Sequence, residues 1–210
     1  MNKKILVFDF DGTLVNSMER LTDIASDVMS EHFGIPTREA RRLYQLTSGL
    51  PFSEQLKTIY PDQQKKTKEV SDLFEKKKRE GYFQEASFPD THDTINYLKS
   101  RGYIVIISSN SAQELLDQFV KQLDLPCDLV LGHKKNFSKG LPHFLYILEQ
   151  WGGNPYDMVF IGDSLKDGEW AFESGIDFIG KEGLFTKEQF QNRFPGIPVI
   201  SKLSQLKEMF

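Results

Sequence analysis

Residues 3–14 read KKILVFDFDGTL, an apolar run that ends in two aspartates, a glycine and a threonine. The continuous apolar run at residues 5–8 is typical of a strand in a parallel sheet, because both faces of such a sheet are covered. Open parallel sheets bind ligands just beyond the carboxyl ends of their strands. The pattern therefore predicts that Asp9 and Asp11 lie at a ligand-binding edge.

Asp9 and Asp11 are two residues apart, so on extended backbone their side chains leave the strand on the same side. Their like charges repel each other unless a cation or a proton intervenes, and paired carboxylate oxygens suit a hard metal ion. An Asp-Gly dipeptide is also an ordinary turn signal, and a plain exit from the strand explains these residues when they are taken alone.

The composition limits the domain count and the class of partner. A chain of 210 residues, 39% of them hydrophobic, can bury one sizeable core and leaves room for an insertion. The net charge of −4 argues against a protein that binds nucleic acid by neutralising phosphates, so we expect a small partner. The single cysteine, Cys127, excludes an intramolecular disulfide, and the scattered histidines are interpreted as surface or packing residues. The few apolar residues before Asp9 make neither a signal peptide nor a membrane span, which predicts a soluble cytoplasmic protein.

A helical block follows the opening strand. Helical spacing of apolar residues predicts four helices, beginning near Asn16, Pro36, Ser53 and Pro61. No strand pattern occurs between Asn16 and Tyr82. Because neighbouring helices can bury their apolar faces against one another, this block predicts an inserted helical domain, residues 16–85, within an α/β core domain formed by residues 1–15 and 86–210.

From Ala86 onward, strands and helices alternate as in an open parallel sheet. The predicted strands are residues 103–107, 128–131, 158–161, 175–180 and a short segment at 197–200. Two of them end in polar groups. Ser-Ser-Asn-Ser at 108–111 is suited to an anion site, although helix capping also explains it, and Gly162-Asp163 with Asp167 adds two carboxylates. Lys139, just ahead of a helix, could reach the same edge.

These segments together resemble the four motifs of the haloacid dehalogenase superfamily, in its capped phosphohydrolase branch, which includes phosphoglycolate phosphatases and β-phosphoglucomutases. The matching motifs are Asp9-Phe10-Asp11-Gly12-Thr13-Leu14, Ser108, Lys139 and Gly162-Asp163-x-x-x-Asp167. The resemblance covers essentially the whole chain. It implies an α/β fold with a Rossmann-like three-layer core, a parallel sheet in the order 5-4-1-2-3, and a helical cap inserted after the first motif.

The resemblance also implies a role for each matching residue in a Mg²⁺-dependent phosphatase. Asp9 corresponds to the nucleophile and Asp11 to the general acid/base. The Asp9 carboxylate, the Asp11 backbone carbonyl and Asp163 correspond to the Mg²⁺ ligands. Asp167 corresponds to a supporting carboxylate beside the metal waters or Lys139.

The phosphate group is expected to contact a further set of residues. Ser108 and Lys139 correspond to the groups that hold phosphoryl oxygens. The pocket would be lined, mainly through backbone groups, by Gly12, Thr13, Ser109 and Asn110.

The chain departs from the family pattern at Asn16, which is commonly Asp, and at Gly140, which is commonly Pro. These departures concern hinge and loop geometry, and hence the substrate, more than the reaction type.

Charge balance bears on the reaction and on its competitors. Four carboxylates, one lysine, one Mg²⁺ and a phosphate dianion leave the predicted site negative, so another positive contribution is needed. A proton on Asp11 supplies it, and the leaving alkoxide requires that proton.

Among the competing functions, a dehalogenase is disfavoured because the extra carboxylates suit phosphoryl transfer with a metal. A phosphomutase would use the same site residues, so it remains the alternative function. A receiver-like signalling module would gather similar groups, but the helical insertion argues against it.

The position of the insertion predicts a cap over the site, with hinges at residues 15–16 and 85–87. We therefore expect the substrate to be a small phosphorylated metabolite rather than a phosphoprotein, a nucleic acid or a membrane component. Arg41, Arg42 and Gln45 are candidates for selecting it, although each could simply solvate a helix face. The sequence specifies neither the metabolite nor the oligomeric state.

Overall fold

The computed structural model describes residues 4–210, so the first three residues of the predicted core domain lie outside the described part of the chain. The strands are β1 (Ile5–Phe8), β2 (Ile104–Ala112), β3 (Leu129–His133), β4 (Met158–Gly162), β5 (Asp177–Lys181) and β6 (Val199–Ile200). The α-helices are α1 (Met18–Phe33), α2 (Thr37–Leu46), α3 (Phe52–Ile59), α4 (Gln64–Arg79), α5 (Thr91–Ser100), α6 (Gln113–Gln122), α7 (Leu141–Trp151), α8 (Leu165–Glu173) and α9 (Lys187–Arg193). Among the described residues, no helix is both long enough and apolar enough to cross a membrane.

These elements form two compact units. The described residues up to Asn16 and the segment Ala86–Phe210 form an α/β unit, and Ser17–Glu85 forms a helical unit. Each unit has a hydrophobic cluster of its own. In the helical unit, for example, the rings of Phe52 and Phe74 pack with their centroids 4.2 Å apart.

The α/β unit is built on one parallel sheet in the order β3-β2-β1-β4-β5-β6. Read from the opposite edge, strands β1 to β5 have the predicted order 5-4-1-2-3, and β6 lies outside β5. The predicted α/β fold is therefore confirmed, and the segment at residues 197–200 supplies the sixth strand. All four residues of β1 are buried, as expected for an apolar strand with neighbours on both sides.

Several element boundaries differ from the sequence-based expectation by a few residues, and two of these differences concern the polar segments discussed above. Helix α1 follows Ser17 rather than Asn16. Asn16 instead belongs to the backbone pairing with the returning segment, where its N–H donates to the Ala86 carbonyl oxygen at 3.0 Å. Strand β2 continues through the polar stretch to Ala112, with irregular pairing between Ser108 and Ala112. Helix α6 then begins at Gln113.

The two chain segments that join the units pair with each other as short antiparallel backbone. Val15 and Ser87 form an isolated antiparallel bridge. On either side of this bridge, Asn16 bonds to Ala86 and the Phe88 N–H donates to the Leu14 carbonyl at 3.0 Å. The chain therefore leaves the α/β unit and returns to it at neighbouring points.

Candidate active site

The sheet register brings the polar strand ends to one edge. Phe8, the last residue of β1, lies opposite Ile107 of β2 and Ile161 of β4. Asp9 follows directly, and its N–H donates to the Ile161 carbonyl at 2.9 Å. Ser108 is the next residue along β2, and Asp163 directly follows β4. Because parallel strands end at a common edge, three of the predicted site residues meet there.

Lys139 joins this group from the loop before α7. Its Nζ lies 2.7 Å from Asp9 Oδ1 and 2.8 Å from Asp167 Oδ1, and all three side chains are buried. The Lys139 backbone is held as well, because its N–H donates to Asn110 Oδ1 at 3.2 Å. One lysine therefore lies between two carboxylates, one directly after β1 and the other in the first turn of α8.

Three buried carboxylates form a candidate metal centre. One oxygen from each of Asp9, Asp163 and Asp167 lies within 4.8 Å of the others. Asp163 Oδ2 is buried and has no hydrogen-bond partner among the described residues. A buried carboxylate oxygen without a donor is costly, and a hard divalent cation with oxygen ligands would satisfy it. The residues present therefore fit a divalent metal ion.

The electrostatics of this cluster favour taking up positive charge. Burial raises the pKa of Asp9 to about 7 against the lowering effect of Lys139. Burial also raises the pKa of Asp163 well above its usual range, and the charges of Asp9 and Asp167 add to that rise. Burial alone would lower the pKa of Lys139, but Asp167 and Asp9 raise it overall. The lysine therefore stays charged, and the carboxylates have a further need for a proton or a cation.

Asp167 is oriented by the start of α8. Its Oδ2 accepts hydrogen bonds from the Ser164 N–H at 3.1 Å and the Ser164 hydroxyl at 2.7 Å, and its own N–H donates to Ser164 Oγ at 3.1 Å. This reciprocal pattern is a capping box, which satisfies N–H groups at the helix start. Gly162 makes room for it, since a Cβ there would lie 2.6 Å from Asp167 Oδ2. Asp167 therefore caps a helix with one oxygen and contacts Lys139 with the other.

Asp11 lies in the loop after β1 and is partly exposed. The hydroxyl of Ser111 donates to Asp11 Oδ2 at 2.9 Å, which joins this loop to the irregular end of β2. Ser111 carries no role in the sequence analysis, although it is the last residue of the polar stretch singled out there. Asp11 is not one of the three clustered carboxylates.

Several polar groups of the residues expected to line the phosphate pocket form hydrogen bonds within the loops at the site. The Thr13 hydroxyl donates to Asp9 Oδ2 at 3.2 Å, and the Gly12 N–H donates to the Val15 carbonyl at 2.8 Å. Ser109 Oγ accepts a bond from the Ser111 N–H at 3.1 Å. Of the two remaining residues, Asn110 holds the Lys139 backbone and Ser108 is in contact with a histidine.

Two buried residues near the site were not predicted to belong to it, and one of them, His143, was interpreted only as a surface or packing residue. Lys181, which ends β5, donates from Nζ to the Gly12 carbonyl at 3.1 Å and lies 3.7 Å from the centroid of the Phe88 ring. Burial lowers its pKa, against the opposing effect of Asp163. His143 is fully buried, and its Nδ1 lies 2.8 Å from Ser108 Oγ. A lysine directly after the buried run Phe178-Ile179-Gly180 is a signal that could have pointed to Lys181.

Arg41 and Arg42, expected to select the substrate, are paired within the helical unit. Arg41 forms an ion pair with Asp23, and Arg42 makes two bonds to the Glu39 carboxylate, at 2.9 and 2.7 Å. They line, with Gln45, an open pocket of about 610 Å³ on that unit. Their charges are thus partly offset before any substrate arrives.

Comparison with known proteins identifies the family. The profile described as haloacid dehalogenase-like hydrolase matches residues 6–181. The chain belongs to this family. The predicted membership, and with it the prediction of an enzyme of the haloacid dehalogenase-like hydrolase family, is confirmed, and the matched span contains every motif residue discussed above.

Individual relatives of this haloacid dehalogenase-like hydrolase are distant but similar along most of their length. A haloacid dehalogenase-like hydrolase domain-containing protein of Arabidopsis thaliana is 25% identical, over 97% of this chain and 83% of its own. A phosphoglycolate phosphatase of Haemophilus influenzae is 24% identical, over 84% of both chains. Among solved structures, a predicted phosphatase from Clostridium acetobutylicum shares the fold with a TM-score of 0.84 and 19% identity, covering 99% of this chain and 97% of its own.

Proposed function

We propose that this haloacid dehalogenase-like hydrolase is a Mg²⁺-dependent phosphatase that hydrolyses a small phosphorylated metabolite in the cytoplasm through an aspartyl-phosphate intermediate. The observation that carries the proposal is the buried set of Asp9, Lys139, Asp163 and Asp167 at one edge of the sheet. A nucleophilic carboxylate, a fixed cation and two further carboxylates are the groups that phosphoryl transfer requires.

In the first step, the Asp9 carboxylate attacks phosphorus and the bond from phosphorus to the leaving oxygen breaks. Asp11 gives its proton to that oxygen, so the alcohol leaves neutral. Lys139, which already contacts Asp9, offsets charge on the phosphoryl oxygens, and the Ser108 hydroxyl donates to one of them. The Thr13 hydroxyl, bonded to Asp9 Oδ2, helps to fix the orientation of the nucleophile.

In the second step, water attacks the phosphorus of the aspartyl-phosphate. Asp11, now ionised, accepts a proton from that water, and the bond between phosphorus and Asp9 breaks. Inorganic phosphate leaves, and both aspartates return to their starting states. The partly exposed position of Asp11 in the loop after β1 is compatible with proton exchange between turnovers.

The carboxylates of Asp9 and Asp163 and the backbone carbonyl of Asp11 would hold Mg²⁺, and Asp167 would support the ion's waters or Lys139. When bound, the ion would withdraw charge from the phosphoryl oxygens. The buried, unbonded oxygen of Asp163 is the observation on this chain that supports such a ligand role.

Residues 17–85 are proposed to act as the cap that limits access to small substrates. The support is topological, since this helical unit is inserted between β1, which carries the nucleophile, and β2. The relative named phosphoglycolate phosphatase makes phosphoglycolate the first substrate to test.

The test is phosphate release from phosphoglycolate and a panel of phosphorylated metabolites, with Mg²⁺ or with excess chelator. Asp9→Asn should abolish turnover, because an amide is a poor nucleophile toward phosphorus, while the fold survives. Asp62→Asn, at an exposed position of the helical unit, is the matched control and should behave as the native enzyme. Substantial turnover by pure Asp9→Asn protein, or undiminished turnover in chelator, would contradict the proposal. Transfer of the phosphoryl group to a sugar hydroxyl instead of water would indicate a phosphomutase.

A further inference from the structure

A buried histidine contacts Ser108, the residue that the proposed function assigns to a phosphoryl oxygen. His143 lies in the first turn of α7, and its Nδ1 lies 2.8 Å from Ser108 Oγ. Both side chains are fully buried. The ring of Phe137 packs against the imidazole, with centroids 4.5 Å apart. Packing therefore fixes the two side chains relative to each other.

The imidazole of His143 is neutral at physiological pH. Burial, with help from the charge of Lys139, lowers its pKa to about 3. A neutral imidazole carries no charge with which to attract a phosphate group. It has one N–H, either at Nδ1 or at Nε2, and the other nitrogen is an acceptor.

The position of that hydrogen decides what the Ser108 hydroxyl can do. With the hydrogen on Nε2, Nδ1 is an acceptor, and the Ser108 hydroxyl must donate to the ring. With the hydrogen on Nδ1, the ring donates to Ser108 Oγ, and the hydroxyl hydrogen can point elsewhere. Phosphoryl oxygens only accept hydrogen bonds, so Ser108 can bind one well only in the second case.

The surroundings of Nε2 favour the second case. Nε2 is buried and has no hydrogen-bond partner among the described residues. The backbone of Gly132 raises the pKa of the ring, against the effect of burial, but it does not meet Nε2 at hydrogen-bonding geometry. A buried N–H without an acceptor is rarer in proteins than a buried acceptor without a donor. Leaving Nε2 unprotonated is therefore the less costly arrangement.

We infer that His143 donates its Nδ1–H to Ser108 Oγ and thereby turns the Ser108 hydroxyl hydrogen toward a phosphoryl oxygen of the substrate. His143 is a positioning residue, because it acts through Ser108. The inference rests on the proposed function insofar as that function gives Ser108 the phosphate group.

The tautomer can be measured without turnover. In native protein labelled with ¹⁵N-histidine, the ring shifts of His143 are assigned by their loss in His143→Asn. We expect a protonated Nδ1 and an unprotonated Nε2, with and without inorganic phosphate. A protonated Nε2 would overturn the inference. This result does not depend on whether the protein hydrolyses any ester, so it is separable from a failure of the proposed function.

Two variants of similar shape test the consequence for catalysis. His143→Asn keeps an N–H donor near the position of Nδ1, and His143→Leu removes it. With p-nitrophenyl phosphate, the Leu variant should lose about tenfold in kcat/KM, the size expected for one misdirected hydrogen bond, and the Asn variant should stay within about threefold of native. Equal losses in the two variants would contradict the inference.

A double-mutant cycle separates positioning from simple packing. In a Ser108→Ala background, the Asn and Leu variants should have equal kcat/KM, because no hydroxyl remains to be oriented. A difference that persists in that background would show that His143 acts on something other than Ser108. Thermal unfolding establishes that each variant is folded, and if the Leu variant is not, the tautomer measurement on the native chain decides.

Discussion

Lys181 is the residue whose position most changes the charge balance expected of this site. The predicted site needs one more positive contribution beside Lys139 and the metal, and a proton on Asp11 was expected to supply it. Lys181 is a second buried lysine, and it holds the carbonyl of Gly12, next to Asp11. A cation here would offset part of the carboxylate charge without blocking the edge of the sheet.

We predict that Lys181→Met weakens binding of inorganic phosphate and lowers kcat/KM by about tenfold, because both a nearby positive charge and the tie to the Gly12 turn are lost. Mg²⁺ binding, measured by calorimetry, should not weaken, since removing a cation leaves the carboxylates more attractive to a metal. Lys187→Met, at an exposed position six residues further on, is the control. Parallel loss of phosphate and Mg²⁺ affinity would mean that Lys181 acts only by supporting the fold.

His143 makes stability depend on pH. Its pKa is about 3 in the folded chain and about 6.5 when unfolded, so between these values the unfolded chain binds more protons. Stability is therefore lost as the pH falls from about 6.5 toward 3. Without divalent metal, we expect the native protein to lose about 2 kcal/mol more than His143→Asn between pH 7 and pH 5.

Urea unfolding at the two pH values measures this difference. His92→Asn removes a half-buried histidine of α5, away from His143 in sequence, and should follow the native protein. If His143→Asn and native protein lost the same free energy of unfolding, the histidine would not be held neutral in the native state.

The sequence alone could predict the positions of those site residues that directly follow the apolar part of a strand. Asp9, Ser108 and Asp163 each follow an apolar run, and parallel strands end together, so their meeting was predictable. The contacts of His143 and Ser111, with partners 35 and 100 residues away in sequence, were not predictable, because the shared end of parallel strands does not determine them. Nothing in the local pattern around a histidine in a helix or a serine in a polar stretch shows that it will be buried against a particular side chain.

At the level of elements, the junction between β4 and α8 concentrates several functions in few residues. Gly162 ends the strand, Asp163 contributes a carboxylate, and the capping box of Ser164 and Asp167 starts the helix. The same Asp167 carboxylate reaches Lys139. The sequence indicated a glycine and two aspartates at a strand end, but the capping box depends on the backbone geometry of the turn.

We predict that Gly162→Ala lowers kcat/KM more than tenfold, because the new Cβ would lie 2.6 Å from Asp167 Oδ2 and push the carboxylate away from Lys139. Gly183→Ala, where a Cβ would meet no atom within 4 Å, is the matched control. Native activity in folded Gly162→Ala protein would mean that the position of Asp167 is not critical.

Strand β2 shows why element ends were harder to predict than elements. Its apolar core was expected to end at Ile107, yet the strand continues to Ala112, with Ser108 and Ala112 paired to β3 and an irregular stretch between them. Polar residues ordinarily signal a loop, but here the neighbouring strand β3 supplies pairing partners. This tertiary effect overrides the local signal.

At the level of the whole molecule, the chain has two compact units with separate hydrophobic clusters. The helical content of the insertion was predictable from the helical spacing of its apolar residues. The break after Leu14 was predictable because the spacing of apolar residues changes there from that of a strand to that of a helix. Its action as a cap stays a prediction, as does the choice of metabolite, since no local pattern encodes either.

If residues 17–85 limit access, small phosphate esters should be hydrolysed faster than bulky ones by the full chain. We expect kcat/KM for phosphoglycolate or a similar metabolite to exceed that for a phosphopeptide by at least about a hundredfold, because only the small ester would fit beneath a closed cap. p-Nitrophenyl phosphate serves as a control for intrinsic reactivity. Faster hydrolysis of the phosphopeptide would contradict the proposed role of the insertion.

The hydrogen bond from Asn16 to Ala86 has a consequence for how such a protein can be rebuilt. Since the insertion starts and finishes at adjacent points, its removal leaves a gap that a very short linker can span, and loop closure adds little entropic cost. The same geometry lets an insertion from a relative be grafted between these two residues. If the insertion acts as the proposed cap, chimaeras made this way should exchange substrate preference and keep the chemistry of the sheet edge, so the two properties could evolve separately.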